Sequence, residues 1–470
     1  MSRIRRTALI TTAAVAFIGA SIAAVPTPSV AGDLIGGGGT PCTFDDDLTA
    51  FYTAPPGAIT ADPGTLIRCQ ERLDIQGLTG AHAYRVMYVT EAPAPGSYTS
   101  KSSARKFRGV ALVKRYSTGM IFVPTATAPL TGRKIVAWDH GTVGMGQTCA
   151  PSISGYKKVA AVTAATVPNM SYGFVQNMIN KNWVVTATDY AGLGIIGQST
   201  KLQYLVGASE AMDTANAVRL AAAFPGSGAR PFGRKPVYAV YGQSQGGHAA
   251  LFTGTIAPAY APDLTLKSVV ASDPAANMVP LVQQQYNKLI AWVLGPEVAL
   301  AWPGVQPSLN ANDVLTTIGK SNVNTLAAKC VTSAALAALA KDPRGKKPFF
   351  LSTVNTNPGW VAMLNAQTPP VVKGIPVLIG QTQNDGVVLA NTNASLQTAW
   401  CSAGANLKMF WVKPSGVLPN SFVTMAMAHL NSASVDALAA VKFINNGFKG
   451  TSAAITGVTS CSTPPPTPLS

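Results

Sequence analysis

The chain has 470 residues, of which 47% are apolar and 11% charged, with 43 glycines and a formal net charge of +16. The apolar share excludes a largely disordered chain, and the length exceeds one plain domain, so a main domain with a sizeable insertion is expected. No dense Lys/Arg run with interleaved aromatics occurs, which argues against a nucleic-acid partner.

The N-terminus reads as a leader. Arg3, Arg5 and Arg6 precede an apolar run from about Ala8 to Ala24, and Ser29-Val30-Ala31 offers a cleavage site. A signal peptide of residues 1–31 is expected, and with it a secreted, extracellular protein, the export route left open. An uncleaved anchor is disfavoured because the run is short for a bilayer span. Losing the three leader arginines lowers the charge from +16 to +13. That charge suits solubility, and it also suits contact with an anionic lipid interface or cell envelope. Six cysteines fit an oxidising compartment: Cys42, Cys69, Cys149, Cys330, Cys401 and Cys461. No Cys-x-x-Cys pair is present, so three disulfides are expected rather than a metal site, with 15 connectivities open. No cofactor is expected.

After a Gly-rich arm, strand-like runs appear at Tyr84–Val89, Val110–Val113 and Met120–Val123 with no helical pattern between them, so they should be antiparallel. The pattern then changes. Strands at 134–138, 183–188, 236–241 and 266–271 alternate with helices at about 170–181, 208–223 and from 247, which predicts parallel βαβ units. From 278 to 370 the alternation stops and short helices are expected. Strands at 375–379 and 407–412 restore it, and a last helix should bury Val435, Leu438, Val441, Ile444 and Phe448. The Pro-rich end, 464–468, reads as a loose tail. Five segments result: the leader 1–31, core 32–277, a helical insertion 278–370, core 371–450, and a tail 451–470 tied by Cys461.

Gly242-Gln243-Ser244-Gln245-Gly246 follows a β-prone run and precedes a helix-compatible segment. A sharp strand-to-helix turn strains the serine and leaves no room for a Cβ at the flanking positions. Ser244 is therefore the candidate nucleophile. Its base must come from four histidines. His248 lies one helical turn beyond Ser244 and reads as structural; His82 and His140 precede the serine. In the order Ser, acid, His only His429 remains, placed in the loop before the last helix. Asp385 is the better acid, because one strand then separates it from His429; Asp273 is the rival. Backbone N–H groups of Gln245 and Thr142 are the candidate oxyanion donors, with Asp139 as a side-chain contributor.

Taken together, Trp138-Asp139-His140-Gly141-Thr142, Asp189-Tyr190-Ala191-Gly192-Leu193-Gly194, the Ser244 turn, Asn384-Asp385-Gly386 and His429 resemble the secretory lipase family typified by yeast lipase A, in an actinobacterial-type branch. The resemblance implies an α/β-hydrolase fold with a mostly parallel sheet and an inserted helical cap. It implies a triacylglycerol-lipase-like ester hydrolase that works through an acyl-enzyme on acylglycerols or other esters. It also implies Cys149–Cys330 and Cys401–Cys461, leaving Cys42–Cys69. An esterase for small esters, an acyltransferase, and a non-catalytic envelope protein are the rival readings. Trp292 and Trp302, among the apolar residues of the insertion, are candidates for lining an acyl site. Oligomeric state is not readable.

Overall fold

The computed structural model describes Cys42 and residues 47–73, 75, 78–97, 110–154, 174–198, 202–342, 347–413 and 422–467. The leader and the Gly-rich arm lie outside them. Ten strands form one sheet: β1 (Leu66–Glu71), β2 (Ala81–Pro93), β3 (Leu112–Pro124), β4 (Ile135–Asp139), β5 (Val184–Thr188), β6 (Val237–Gln243), β7 (Thr265–Ser272), β8 (Val377–Thr382), β9 (Leu407–Val412) and β10 (Val458–Ser460). Their order is β1-β2-β3-β5-β4-β6-β7-β8-β9-β10. β1 to β3 form an antiparallel meander that joins β5, and β5 through β9 run parallel. β4, β5 and β8 are buried at every position, as strands covered on both faces must be.

The helices are α1 (Leu48–Tyr52), α2 (Pro151–Ser154), α3 (174–179), α4 (Gly207–Ala223), α5 (Gln245–Tyr260), α6 (Met278–Gln285), α7 (Leu289–Val305), α8 (Thr317–Ala327), α9 (Val331–Lys341), α10 (Pro358–Ala366), α11 (Ala390–Ser402) and α12 (Phe422–Lys449). α6 to α10 stand between β7 and β8. α7 runs 17 residues, longer than the short helices expected there.

Two other expectations need correction. Val110–Val113 and Met120–Val123 are not separate strands: Leu112–Pro124 is continuous. Polar residues between them broke the apolar alternation, yet they are buried and bonded. Ser117 donates to Asp213 of α4 at 2.9 Å, and Thr118 donates to Asp189 at 2.7 Å. The last helix begins at Phe422, and its expected inward face holds in part: Val441 and Ile444 are buried and Phe448 packs against the core. Val435 and Leu438 are exposed, whereas His429, Ser432, Ala433, Asp436, Ala440 and Ile444 are buried. Toward the helix start the inward stripe carries polar residues that bond beneath the sheet, so hydrophobicity alone misplaced Val435 and Leu438. β10, in the segment read as tail, pairs with β9.

The cysteines pair as Cys42–Cys69, Cys149–Cys330 and Cys401–Cys461. The second spans 181 residues and ties the loop after β4 to the start of α9. A loop of that length loses much entropy when the chain folds, so the bridge contributes several kcal/mol, about 2–5 in such cases.

Candidate active site

Ser244 stands between β6 and α5 with φ 58° and ψ −114°. The turn is as tight as the motif requires. A Cβ on Gly242 would strike the carbonyl of Gly246, and one on Gly246 would strike that of Asp139. The Ser244 N–H donates to the Ser272 carbonyl at 2.8 Å, which holds the turn against β7. Gln245 opens α5, where backbone N–H groups have no partner within the helix. This is the end of the parallel sheet at which strands finish.

His429 reaches the serine from α12. Its Nε2 lies 2.8 Å from Ser244 Oγ, and its Nδ1 lies 2.6 Å from Asp385 Oδ2. All three residues are buried. The expected loop position of His429 is corrected: it sits within a helix, two turns from its start. The Met- and Ala-rich stretch from Thr424 to Ala433 is helix-compatible, and the helix fixes the ring by its neighbours. Gln243 Nε2 and Ser432 Oγ both donate to the His429 carbonyl, at 3.2 and 2.8 Å.

Asp385 follows β8 and is held by the chain itself. Its Oδ1 accepts the Val387 and Val388 N–H groups at 2.7 and 2.9 Å, leaving Oδ2 for histidine. Asp273, the rival, is also close: its Oδ2 is 3.9 Å from His429 Nδ1. It is fully buried, with φ 40°, and its other oxygen accepts the Thr382 N–H at 2.7 Å. Burial, then the neighbouring Asp385 carboxylate, pushes the Asp273 carboxyl well above the usual carboxylate range. The structure thus separates the two by distance: Asp385 Oδ2 lies 2.6 Å from His429 Nδ1, and the nearer Asp273 oxygen stands behind it at 3.9 Å. Asp273, Asp385 and His429 offer ligand atoms within 4.8 Å of one another. A cation there would have to displace the Asp385–His429 bond.

The loop after β4 brings Thr142 toward the site. Its hydroxyl shares a 2.8 Å hydrogen bond with that of Tyr204. A Cβ on the preceding Gly141 would collide with the Gln243 side chain. Asp139 is turned elsewhere: its Oδ1 accepts from Thr214 of α4 at 2.9 Å, and burial raises its carboxyl well above the ordinary range. As a side-chain oxyanion contributor it is corrected on that geometry. Trp292 and Trp302 are corrected too. Both are 0% exposed; one packs edge-on against Phe349 and donates to the Lys347 carbonyl, and the other stacks on Trp360 and donates to the Tyr204 carbonyl. Rings with no accessible surface hold the helices of the insertion together and line no pocket.

Sequence reasoning missed Glu210, a buried acid in the Ala-rich α4. It accepts from the Gln245 side chain at 2.8 Å and lies 2.8 Å from His248 Nδ1, while His248 Nε2 faces the Gln367 carbonyl at 2.9 Å. This cluster fixes Gln245, the residue after the nucleophile, and ties α5 to the end of α10. A charged residue on the apolar face of a helix was the available signal. Asp189 accepts from the Ser152 N–H at 2.9 Å and from the Ser152 and Thr118 hydroxyls. Tyr190, at φ 67°, donates to the His140 carbonyl at 3.2 Å. The Asp189–Gly194 run therefore braces the loop that carries Thr142.

Glu297 of α7 is 2% exposed, and its Oε2 has no hydrogen-bond partner among the described residues. Burial pushes its carboxyl from 4.5 up to about 8. The folded protein thus prefers the protonated acid. Stability is complete below the unfolded value and is lost as pH rises toward 8, by up to about 5 kcal/mol. Glu297→Gln should be more stable than the parent at pH 8 and hold no such advantage at pH 4, as read from urea unfolding at the two pH values. An equal gain at both would show that the charge is not the cause.

A family model described as secretory lipase matches residues 158–456. No curated protein sequence matches significantly. Among solved structures, the closed state of lipase A from Candida antarctica superposes with TM-score 0.63 at 17% identity, covering 89% of each chain. The rice cell wall degrading esterase LipA from Xanthomonas oryzae gives TM-score 0.61 at 17% identity, covering 82% of this chain and 99% of that one. A hydrolase from Legionella pneumophila, described only as putative, gives 0.55 at 14%, covering 83% and 100%. The fold is that of these α/β-hydrolases.

Proposed function

Because the chain belongs to the secretory lipase family, and is thereby a carboxylic-ester hydrolase, we propose that it cleaves acyl esters by a Ser244–His429–Asp385 relay through an acyl-enzyme. The observation that carries this reading is the unbroken contact from Ser244 Oγ to His429 Nε2 at 2.8 Å and from His429 Nδ1 to Asp385 at 2.6 Å. In the first half-reaction Ser244 Oγ bonds to the ester carbonyl carbon as His429 takes its proton. The negative charge moves to the carbonyl oxygen, which the N–H groups of Gln245 and Thr142 would receive. Collapse breaks the bond to the alcohol oxygen, which leaves with the proton from His429. In the second half, water gives a proton to His429 as its oxygen bonds to the acyl carbon; the bond to Ser244 Oγ then breaks, Oγ takes that proton back from His429, and the acid leaves. Asp385 keeps the imidazole in the tautomer that presents a bare Nε2 to the serine.

The substrate reading is an acylglycerol or similar ester met outside the cell. Three disulfides suit an extracellular setting. Among the described residues no helix is long and apolar enough to cross a membrane. Residues 278–370 form the cap in this reading, since Ser244, Asp385 and His429 all lie outside it. Its apolar composition favours medium or long acyl chains over acetate. Each methylene buried contributes about 0.8 kcal/mol until the site is full, or about fourfold in kcat/KM. A nitrophenyl ester series from acetate upward, with an emulsion assay, checks this. A flat or falling series would replace the lipase reading with a small-ester esterase. Product partition toward an added alcohol in preference to water would favour an acyltransferase.

A further inference from the structure

The end of the sheet opposite Ser244, where the parallel strands begin, carries an unusual surface. The loops before β4 (125–134) and before β6 (224–236) lie there side by side. They are firmly tied. The Arg133 N–H donates to the Gly228 carbonyl at 2.8 Å, and its guanidinium donates to the Gly226 and Ser227 carbonyls at 3.1 and 2.8 Å. A Cβ on Gly132 would touch Pro231 at 2.9 Å. Asn182, after α3, joins them by donating to the Thr127 carbonyl and accepting from Arg133, both at 2.9 Å.

These braced loops hold two apolar side chains wholly in water: Leu130 and Phe232, each 103% exposed. Single exposed apolar residues are ordinary. Here two project from loops in contact, and cations flank them along those loops. Arg230, Arg234, Lys235 and Lys181 are exposed, and Lys134 is half-buried. None of residues 125–134, 180–183 and 224–236 is an acid. Asp263, close enough to Lys235 to feel its charge, is already paired with Arg219 at 2.7 Å.

We infer that this end of the molecule docks on an anionic lipid surface, with Leu130 and Phe232 entering the boundary between headgroups and acyl chains and Arg230, Arg234, Lys235 and Lys181 meeting lipid phosphates. Apolar tips flanked by cations fit such a boundary, because the rings and branched chains leave water while the cations stay at headgroup level. A purely anionic polymer would leave the two tips exposed, and a second copy of this chain would set like charges against each other. Docking by this end points Ser244 away from the surface. It is thus a tether distinct from substrate entry, and it stands or falls independently of the proposed chemistry.

The test uses vesicles of ether-linked lipids, which an ester hydrolase cannot cleave, and cosedimentation of the mature protein. It should bind phosphatidylglycerol vesicles about tenfold or more tighter than phosphatidylcholine vesicles at low salt. Leu130→Ser with Phe232→Ser should lose about tenfold on the anionic vesicles. Arg230→Gln, Arg234→Gln and Lys235→Gln combined should lose as much and flatten the salt dependence. Both variants should hydrolyse a soluble nitrophenyl ester at the parent rate, which shows that they are folded. Equal binding to both vesicle types overturns the inference, as does parental binding by the Leu130/Phe232 variant. So does a dimer in the parent that this variant converts to monomer, since the tips would then be a self-interface.

Discussion

Ser244→Ala is expected to lower kcat/KM for any ester substrate by about 10⁴-fold or more while leaving the fold in place. The substitution removes only Oγ. The backbone at φ 58° is held by the glycine contacts on either side and by the bond from the Ser244 N–H to Ser272, none of which needs the hydroxyl. Alanine carries the same Cβ, so the turn keeps its shape and its strain. What disappears is the atom 2.8 Å from His429 Nε2. Initial rates on a nitrophenyl ester, alongside thermal unfolding by circular dichroism, separate lost chemistry from lost structure. A serine-directed phosphonate should label Ser244 alone. The buried Ser272 and Ser432 lie nearby, but Ser272 donates to Asp436 and Ser432 to the His429 carbonyl. Labelling at either, or an active Ser244→Ala, would move the nucleophile elsewhere.

Asp385→Asn is expected to cost about 10³-fold or more, and Asp273→Asn less than about tenfold. An amide at 385 still accepts the Val387 and Val388 N–H groups through its oxygen. Its NH₂ then faces His429 Nδ1, which favours the wrong tautomer and withdraws the negative charge that stabilises the imidazolium. At 273 burial already disfavours the charged carboxylate, and the amide oxygen can still accept the Thr382 N–H, so the amide changes little. The two single variants, assayed for kcat/KM across the pH range, decide between them. If Asp273→Asn is the more damaging, the acid stands after β7 rather than after β8.

Much of this arrangement follows short-range rules and is readable along the chain. Gly-x-Ser-x-Gly between a β-prone run and a helix former has one backbone solution, because a Cβ at either glycine meets a carbonyl. The stretches 134–138 and 183–188 read as strands because β-prone residues follow one another in each. Chain order then singled out His429 among four histidines and ranked Asp385 above Asp273, and those are the groups the fold brings within 2.8 Å of one another.

Other features depend on partners distant in sequence, and only the folded chain decided them. His429 read as a loop residue because the apolar stripe was traced only from Val435; in the fold the helix starts earlier, its first turns bury Ser432 and Asp436, and Asp436 takes the hydroxyls of Tyr241 and Ser272 at 2.5 and 2.6 Å. Burial raises its carboxyl to about 6. Blindness to bonded polar residues split β3 in two. Trp292 and Trp302 gave no sign in the sequence of whether they face a ligand or each other's helices, because burial belongs to the packing. Asp139 pointed at the substrate only as long as Thr214, 75 residues away, was not seen to hold it. Local sterics and hydrophobic period are written residue by residue; which buried polar group meets which distant donor is a property of contacts such as Asp139 with Thr214 and Asp436 with Tyr241, and that pairing, not composition, set how those groups are turned.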